Sequence, residues 1–339
     1  MSKVIWFMEG LSSQRDILQA IKSECPDITV IASHRHERSE ILSEADHSYI
    51  EPTTDEERLK FISDVVGKHD VAVIHAGRNC RWFEEHRLAI EKNGVKLVTG
   101  ANNLTTFDIA DNKFSFSKEM QANDLPVVPS IYIDSVEQLE KSIASKVFDN
   151  AALCVKPVTG IYGLGFWRLD RQVDSMKHLN DPDSRRIHPD IYIHSISRSS
   201  FSPMVLMPYL PGPERSVDML IENGEVLAAV GRRKEGPIQH MECDGDAYHL
   251  AIKCAELLKA DGLVNVQTRN DHNGIPVLLE INLRPSGGIC YTTHSGVNLP
   301  ALFAKWHLGL INKEQIKDTI KQTFSPAKVR NVTSVIPLN

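Results

Sequence analysis

The chain has 339 residues, too many for one ordinary hydrophobic core and enough for two or three packed units. Its 42% apolar and 24% charged residues are the balance of a soluble globular protein, and a net charge of −6 with His neutral argues against a fold-wide basic surface for nucleic acid. No apolar run approaches the roughly 20 residues that span a bilayer, and the opening MSKVIWFMEG reads as a strand, not a signal peptide. A cytoplasmic protein with no membrane or nucleic-acid partner is expected. The six cysteines, Cys25, Cys80, Cys154, Cys243, Cys254 and Cys290, form no CxxC pair and match no zinc spacing. Reduced, buried thiols are expected.

The first third alternates short apolar runs with helical stretches. VIWFM (4–8), ITVIA (28–32) and VAVIH (71–75) read as buried strands, and KLVTG closes the series. Helices are expected over 12–23, 55–67 and 81–93, the last ended by Gly94. Strands alternating with helices imply a parallel sheet covered on both faces. Ligands then sit beyond the carboxyl ends of the strands, in the loops Glu9-Gly10-Leu11-Ser12 and Ala76-Gly77-Arg78-Asn79. HRHER, with His34 and His36, is expected as an exposed loop.

From residue 103 the texture changes. A helix over 105–123 is followed by IYIDS, a helix over 136–146, the strand ALCVKPV and the glycine-rich TGIYGLGFWRL. Residues 171–202 have little periodicity and are expected to be irregular. MVLMPYL is a strand. RSVDMLIENGEVLAAVGRRK is a hairpin turned by Asn223-Gly224. A helix over 246–260 leads to a second hairpin, GLVNVQTR with PVLLEINLR, turned at 271–274. A last helical region ends near Gly309, leaving a short tail.

Several residues could carry chemistry. Glu280, Asn282 and Arg284 alternate, so they share one strand face, and Gln267 lies on the preceding strand of that hairpin. Hard oxygen ligands there suit Mg²⁺, with Arg284 positioned to neutralise a transferring phosphoryl group; the alternative is the solvent face of an amphipathic strand. The glycine-rich stretch has no GKS or GKT and is either a flap over phosphates or a hairpin turn. Lys156 ends an apolar strand, where it would pair with phosphate or snorkel at the edge. Lys113, alone, would pass for a surface residue. Arg232 and Arg233 are either substrate contacts or a solvated charge run.

In this order the blocks resemble the ATP-grasp superfamily, which includes the carbamoyl phosphate synthetase large subunit, biotin carboxylase and D-alanine–D-alanine ligase. IHAGRNCRWFEEHRLAIEKNGVKLVTG, DNKFSFSKEMQANDLPVVPS, LCVKPVTGIYGLGFWRL, MPYLPGPERSVDML, and GLVNVQTR with LLEINLRPSGG carry the resemblance over nearly the whole chain. It implies an α/β fold, α+β in the ATP-binding part: an N-terminal Rossmann-like substrate domain (1–102), a first lobe with the flap (103–205), a second lobe with the metal hairpin (206–311) and a tail (312–339). It implies ATP and one or two Mg²⁺ ions, with Mn²⁺ able to substitute. Lys113 and Lys156 would meet phosphates, and Gly160, Gly163 and Gly165 would shape the flap. Met207, Pro208, Tyr209 and Leu210 would line the adenine linker, and Glu214 would bind ribose. Gln267, Glu280 and Asn282 would hold metal. Arg284, with Lys156, Glu280 and Asn282, would serve catalysis. Ser286, Gly287, Gly288, Arg232 and Arg78 would join Arg284 around the substrate. Met207 stands where many relatives carry a Glu that accepts from the adenine amino group, and Met cannot accept that bond.

The activity so implied is ligation of a small carboxylic acid to an amine or thiol through an acyl phosphate, with release of ADP and phosphate. A homodimer is suggested by analogy with relatives. A nucleotide sensor on the same scaffold and a small-molecule kinase are the alternatives.

Overall fold

In the computed structural model, which describes residues 3–160, 163–332 and 335, the chain groups into two compact units. The first comprises Met1–Phe107, Pro213–Thr268 and Ile281–Asn339; the second comprises Asp108–Gly212 and Arg269–Glu280. The stretch 206–311, expected as a single lobe, is thus divided between them.

The first unit opens with a five-stranded parallel sheet of β1 (Val4–Met8), β2 (Thr29–His34), β3 (His47–Ile50), β4 (Val73–Ala76) and β5 (Lys96–Val98), in the order β3-β2-β1-β4-β5. Alternation along β1 splits its side chains between two cores. Ile5 and Phe7 pack with Ile17, Leu18 and Ile21 of the helix Ser13–Glu24. Trp6 and Met8 pack with Ile62, Val65 and Val66 of the helix Asp55–His69. Both faces are covered, which is why these strands read as continuous apolar runs.

The second unit holds β6 (Ile131–Ile133), β7 (Leu153–Pro157), β8 (Trp167–Leu169), β9 (Arg186–Ile187) and β10 (Met204–Pro208), ordered β6-β10-β7-β8-β9. One face of this sheet, with Val155, Met204 and Leu206, packs against Leu139 and Ile143 of the helix Val136–Ala144 and Ile191 of the helix Pro189–Ile196.

A six-stranded sheet is built from β11 (Glu214–Glu222), β12 (Glu225–Glu235), β13 (Ile238–Glu242), β14 (Gly262–Asn270), β15 (Pro276–Asn282) and β16 (Lys328–Arg330), ordered β15-β14-β11-β12-β13-β16. The chain passes from one unit to the other within β14 and again within β15. Asn223 (φ 48°) and Gly224 (φ 87°) are both left-handed, as a two-residue hairpin turn matching the twist of its strands requires.

Several expectations are corrected. The helix over 105–123 is two helices, Leu104–Asp111 and Lys113–Ala122, because Asn112 leaves the helical conformation and its side chain caps the N–H groups of Phe114 and Ser115. The helix over 81–93 breaks at His86 into Cys80–Glu85 and Arg87–Glu91. The irregular 171–202 contains β9 and the helices Lys177–Asn180 and Pro189–Ile196. The short tail carries the helix Lys313–Thr323, started by an Asn312/Gln315 capping box, and β16. β2 runs on to His34, which is buried, while His36 is exposed. All six cysteines are free, but only Cys25, Cys154 and Cys254 are buried; Cys243 is exposed. Among the described residues no helix is long and apolar enough to cross a membrane.

Candidate active site

The second unit gathers the two lysines. β7 and β10 pair antiparallel, with Cys154 opposite Met207 and Lys156 opposite Val205. These four side chains therefore share a face. Phe114, Phe166, Leu210, Val277 and Leu279 belong to the apolar cluster on that side, and Lys156 Nζ lies 5.8 Å from the centre of the Phe166 ring. Lys113 is the first residue of its helix. Its backbone N–H donates to Val158 O (3.0 Å) and its Nζ to Gly160 O (3.1 Å). Burial pushes the Lys113 ammonium below the usual lysine range; the Glu280 carboxylate opposes that shift and the Lys156 charge adds to it. Asp111 opposes it too, so Lys113, Lys156, Glu280 and Asp111 form one electrostatic cluster of two lysines and two carboxylates.

The glycine-rich stretch connects β7 to its antiparallel partner β8, a hairpin connection. Gly160 (φ 147°), Gly163 (φ 65°) and Gly165 (φ 73°) all have positive φ. A Cβ on Gly165 would come within 2.6 Å of the Pro157 ring, whereas Gly160 and Gly163 face open space. Ile161 and Tyr162, at the middle of the expected flap, lie outside the described residues.

On the expected base linker, Met207 and Leu210 are buried, and the Tyr209 N–H donates to Ala152 O (2.6 Å). Two cations that sequence reasoning missed meet the Tyr209 ring: the Arg168 guanidinium 4.5 Å and that of Arg269 5.2 Å from its centre. Arg269 Nε also donates to Gly212 O (3.0 Å). Arg168 lies between Trp167 and Leu169 and Arg269 between Thr268 and Asn270, and neither stands out until the strand pairing is known.

The first unit carries the remaining residues. Glu214 begins β11 and is ion-paired with Lys234. Gln267 lies on β14 and Asn282 ends β15. Arg284 follows the strand rather than extending it; Nη2 donates to Asn282 Oδ1 (3.2 Å) and Nη1 to Pro285 O (3.3 Å). Arg232 is 3% exposed, so a solvated charge run is the wrong description of it. Its Nε donates to Asp218 (2.6 Å), Nη1 to Gln239 (2.5 Å) and Nη2 to Ser286 Oγ (2.7 Å). Asp218, also buried, accepts a further bond from Asn265 (2.9 Å). Arg233 is the surface residue of the two, paired with Glu242. In the Ser286–Gly288 turn, the Gly288 N–H donates to Ser286 Oγ (3.2 Å), and a Cβ at Gly288 would fall 2.6 Å from Arg232 Nη1, while at Gly287 it would meet nothing.

At the carboxyl ends of the parallel strands, Arg78 is exposed. Glu9 is 4% exposed and its carboxylate is taken by Arg58 (2.9 Å), Arg35 (3.1 Å) and Asn79 (2.8 Å). Arg58 also pairs with Glu51 (2.6 Å) and stacks on Trp82 and Phe83. Burial raises the Glu51 pKa against the pull of Arg58. This is a buried ionic network, in which Arg58 Nη1 has no hydrogen-bond partner among the described residues.

The family model for ATP-grasp in the biosynthetic pathway with Ter operon matches residues 200–335. N5-carboxyaminoimidazole synthetase from Staphylococcus aureus complexed with ADP superposes with a TM-score of 0.64 at 14% identity, covering 90% of this chain and 78% of that one. The chain has the ATP-grasp fold. Other ATP-grasp structures agree: biotin carboxylase from Campylobacter jejuni (TM-score 0.62, 18% identity, 93% and 73% covered) and L-amino acid ligase from Bacillus licheniformis (0.60, 16%, 90% and 74%). Among curated proteins none matches by sequence. Within this chain, Lys113, Lys156, the three glycines, Met207–Leu210 and Glu280 belong to the second unit. Arg78, Glu214, Arg232, Gln267, Asn282, Arg284 and Ser286–Gly288 belong to the first.

Proposed function

We propose that the chain is an ATP-dependent carboxylate–amine ligase that works through an acyl phosphate. The observation that carries this reading is the pairing of Lys113 with Lys156, two ammonium groups in one electrostatic cluster, with the Lys113 ammonium partly desolvated. A partly desolvated ammonium beside a second cation is stabilised by a polyphosphate.

Lys113 and Lys156 bind and orient the phosphates. An acid substrate's carboxylate oxygen attacks the γ-phosphorus as the bond to the ADP oxygen breaks. Arg284, tethered to Asn282, neutralises the charge that develops on the transferring group. The amine nitrogen then attacks the acyl carbon, forms the C–N bond, loses its proton and expels phosphate. Positioning and charge neutralisation supply the rate, and no protein nucleophile is needed.

The donor set Gln267, Glu280 and Asn282 fits Mg²⁺. One carboxylate and two amide oxygens are hard ligands, and their low charge leaves coordination sites for water and phosphate oxygens. Among the described residues no group of three His, Cys, Asp or Glu side chains competes as a metal cluster. When bound, the ion supplies further neutralisation of phosphate charge. Arg232, fully engaged by protein, acts by holding the Ser286 turn.

The test is incubation with Mg²⁺-ATP and pools of small acids and amines. ADP and phosphate are expected only with particular pairs, and not from Glu280→Ala. AMP and pyrophosphate would overturn the acyl-phosphate route. A stable phosphorylated acid with no condensation would make the protein a kinase.

A further inference from the structure

One lateral row of side chains beside the Met207–Leu210 linker differs from what an adenine base needs. Met207 of β10 stands directly opposite Cys154 of β7, and Cys154 stands directly opposite Arg168 of β8. Directly paired residues project to the same face. The row across three strands is therefore thioether, thiol and guanidinium, with no oxygen acceptor.

Each member is a poor partner for an amino group. Methionine sulfur is a weak acceptor. Cys154 is buried, which raises its pKa to about 11, so at neutral pH it is a thiol, and it donates to Pro208 O (3.8 Å). Arg168 can only donate. Its Nε is buried and has no hydrogen-bond partner among the described residues, while the guanidinium is held over the Tyr209 ring. Arg269, the second cation on that ring, has its Nε committed to Gly212 O. An unpartnered buried donor is costly and is relieved by an acceptor.

Adenine presents a 6-amino donor beside its N7 acceptor, whereas a 6-oxopurine presents two acceptors, O6 and N7. Arginine pairs with the latter edge in the commonest base-specific contact of proteins. Resting on the reading that a nucleotide base meets the Met207–Leu210 linker, we propose that this slot takes the 6-oxopurine of GTP at least as well as the adenine of ATP, with Arg168 as the specificity-determining residue. Tyr209 orients that guanidinium by stacking.

The test is calorimetric titration of the full chain with Mg²⁺-ATP and with Mg²⁺-GTP, which needs no knowledge of the acid or amine. The expected result is GTP binding as tight as ATP binding or tighter. Arg168→Leu should lower the GTP-to-ATP affinity ratio by about tenfold, the scale of one lost base contact. Arg168→Gln, whose amide can accept as well as donate, should turn the preference toward ATP. Thermal melts of both variants separate folding defects from selectivity, because a merely structural Arg168 would weaken both nucleotides equally and leave the ratio alone. ATP binding at least tenfold tighter than GTP in the unmodified chain would overturn the proposal while leaving the ligase reading intact. Failure of both nucleotides to bind would sink the ligase reading, and this inference with it.

Discussion

Arg232 in the first unit and Lys156 in the second both interrupt apolar strands, yet their surroundings differ in kind. Arg232 has a protein partner on Nε, Nη1 and Nη2, and its main counter-ion, Asp218, is itself buried and further bonded to Asn265. Lys156 shares a cluster with Lys113, on which Glu280 and Asp111 also act, and lies over the Phe166 ring. The first arrangement is closed: every strong donor is matched inside the chain. The second holds two like charges close together, with the Lys113 ammonium partly desolvated. Both look the same in sequence, as basic residues in strands. What separates structure from function is the balance of partners, and that balance can be perturbed.

The largest effect is expected at the closed cluster. Arg232→Met leaves Asp218 buried without its counter-ion, and unfolding free energy should fall by about 3–5 kcal/mol in urea titrations. A loss below about 1 kcal/mol would mean that the cluster is not closed. Next comes acid. His75, buried against Phe7 and Phe303, is held neutral by desolvation with its pKa lowered to about 4, and buried His307 is shifted the same way. Both folded pKa values lie below the unfolded value of about 6.5, so the unfolded chain binds protons first as pH falls. Stability is fully present above pH 6.5 and is lost between there and pH 4, on the order of 3 kcal/mol from His75 alone. Denaturant midpoints across that range would record it, and His75→Leu should make the decline shallower.

Lys156→Met should do the opposite of Arg232→Met. Removing one of two repelling cations should leave the melting temperature unchanged or raise it, while ATP affinity falls by roughly tenfold to a hundredfold, the scale of a charge-assisted bond. A large loss of stability with unchanged nucleotide binding would reverse the assignment of the two clusters. The smallest effects belong to the turn. Gly288→Ala forces a methyl against Arg232 Nη1 and should cost about 1–3 kcal/mol, whereas Gly287→Ala, with nothing nearby, should stay within about 0.5 kcal/mol.

Much of this was legible in the sequence, for identifiable reasons. The strands at 4–8 and 71–75 announce themselves because burial on both faces demands uninterrupted apolar runs. Asn223-Gly224 fixes its hairpin because few residues tolerate two successive positive φ values. What stayed hidden depends on register and on long-range contact. Arg232 reaches Asp218 only because β12 folds back on β11, and Arg168 and Arg269 meet Tyr209 across separations that no local pattern encodes. The break at Asn112 is a local competition: the side chain caps a new helix where the apolar periodicity would have continued the old one. β3 and β16 are short and mostly exposed, so neither shows the alternation that marks a half-buried strand.

The interleaved path of the chain has a consequence for biosynthesis. The core of the second unit that packs Val155 and Leu206 against its helices draws on residues between 131 and 206, so all of its members are available once that stretch has left the ribosome. The main core of the first unit joins Ile5 and Phe7 to Phe303, Leu308 and Ile316. The helices Ser13–Glu24 and Asp55–His69 that flank the opening sheet are made at once, but part of the cover on Ile5 and Phe7 is made only about 300 residues later. During that interval the face of β1 that bears Ile5 and Phe7 lacks part of the cover that the finished protein gives it. Chaperone engagement or aggregation during synthesis should concentrate on the first hundred residues.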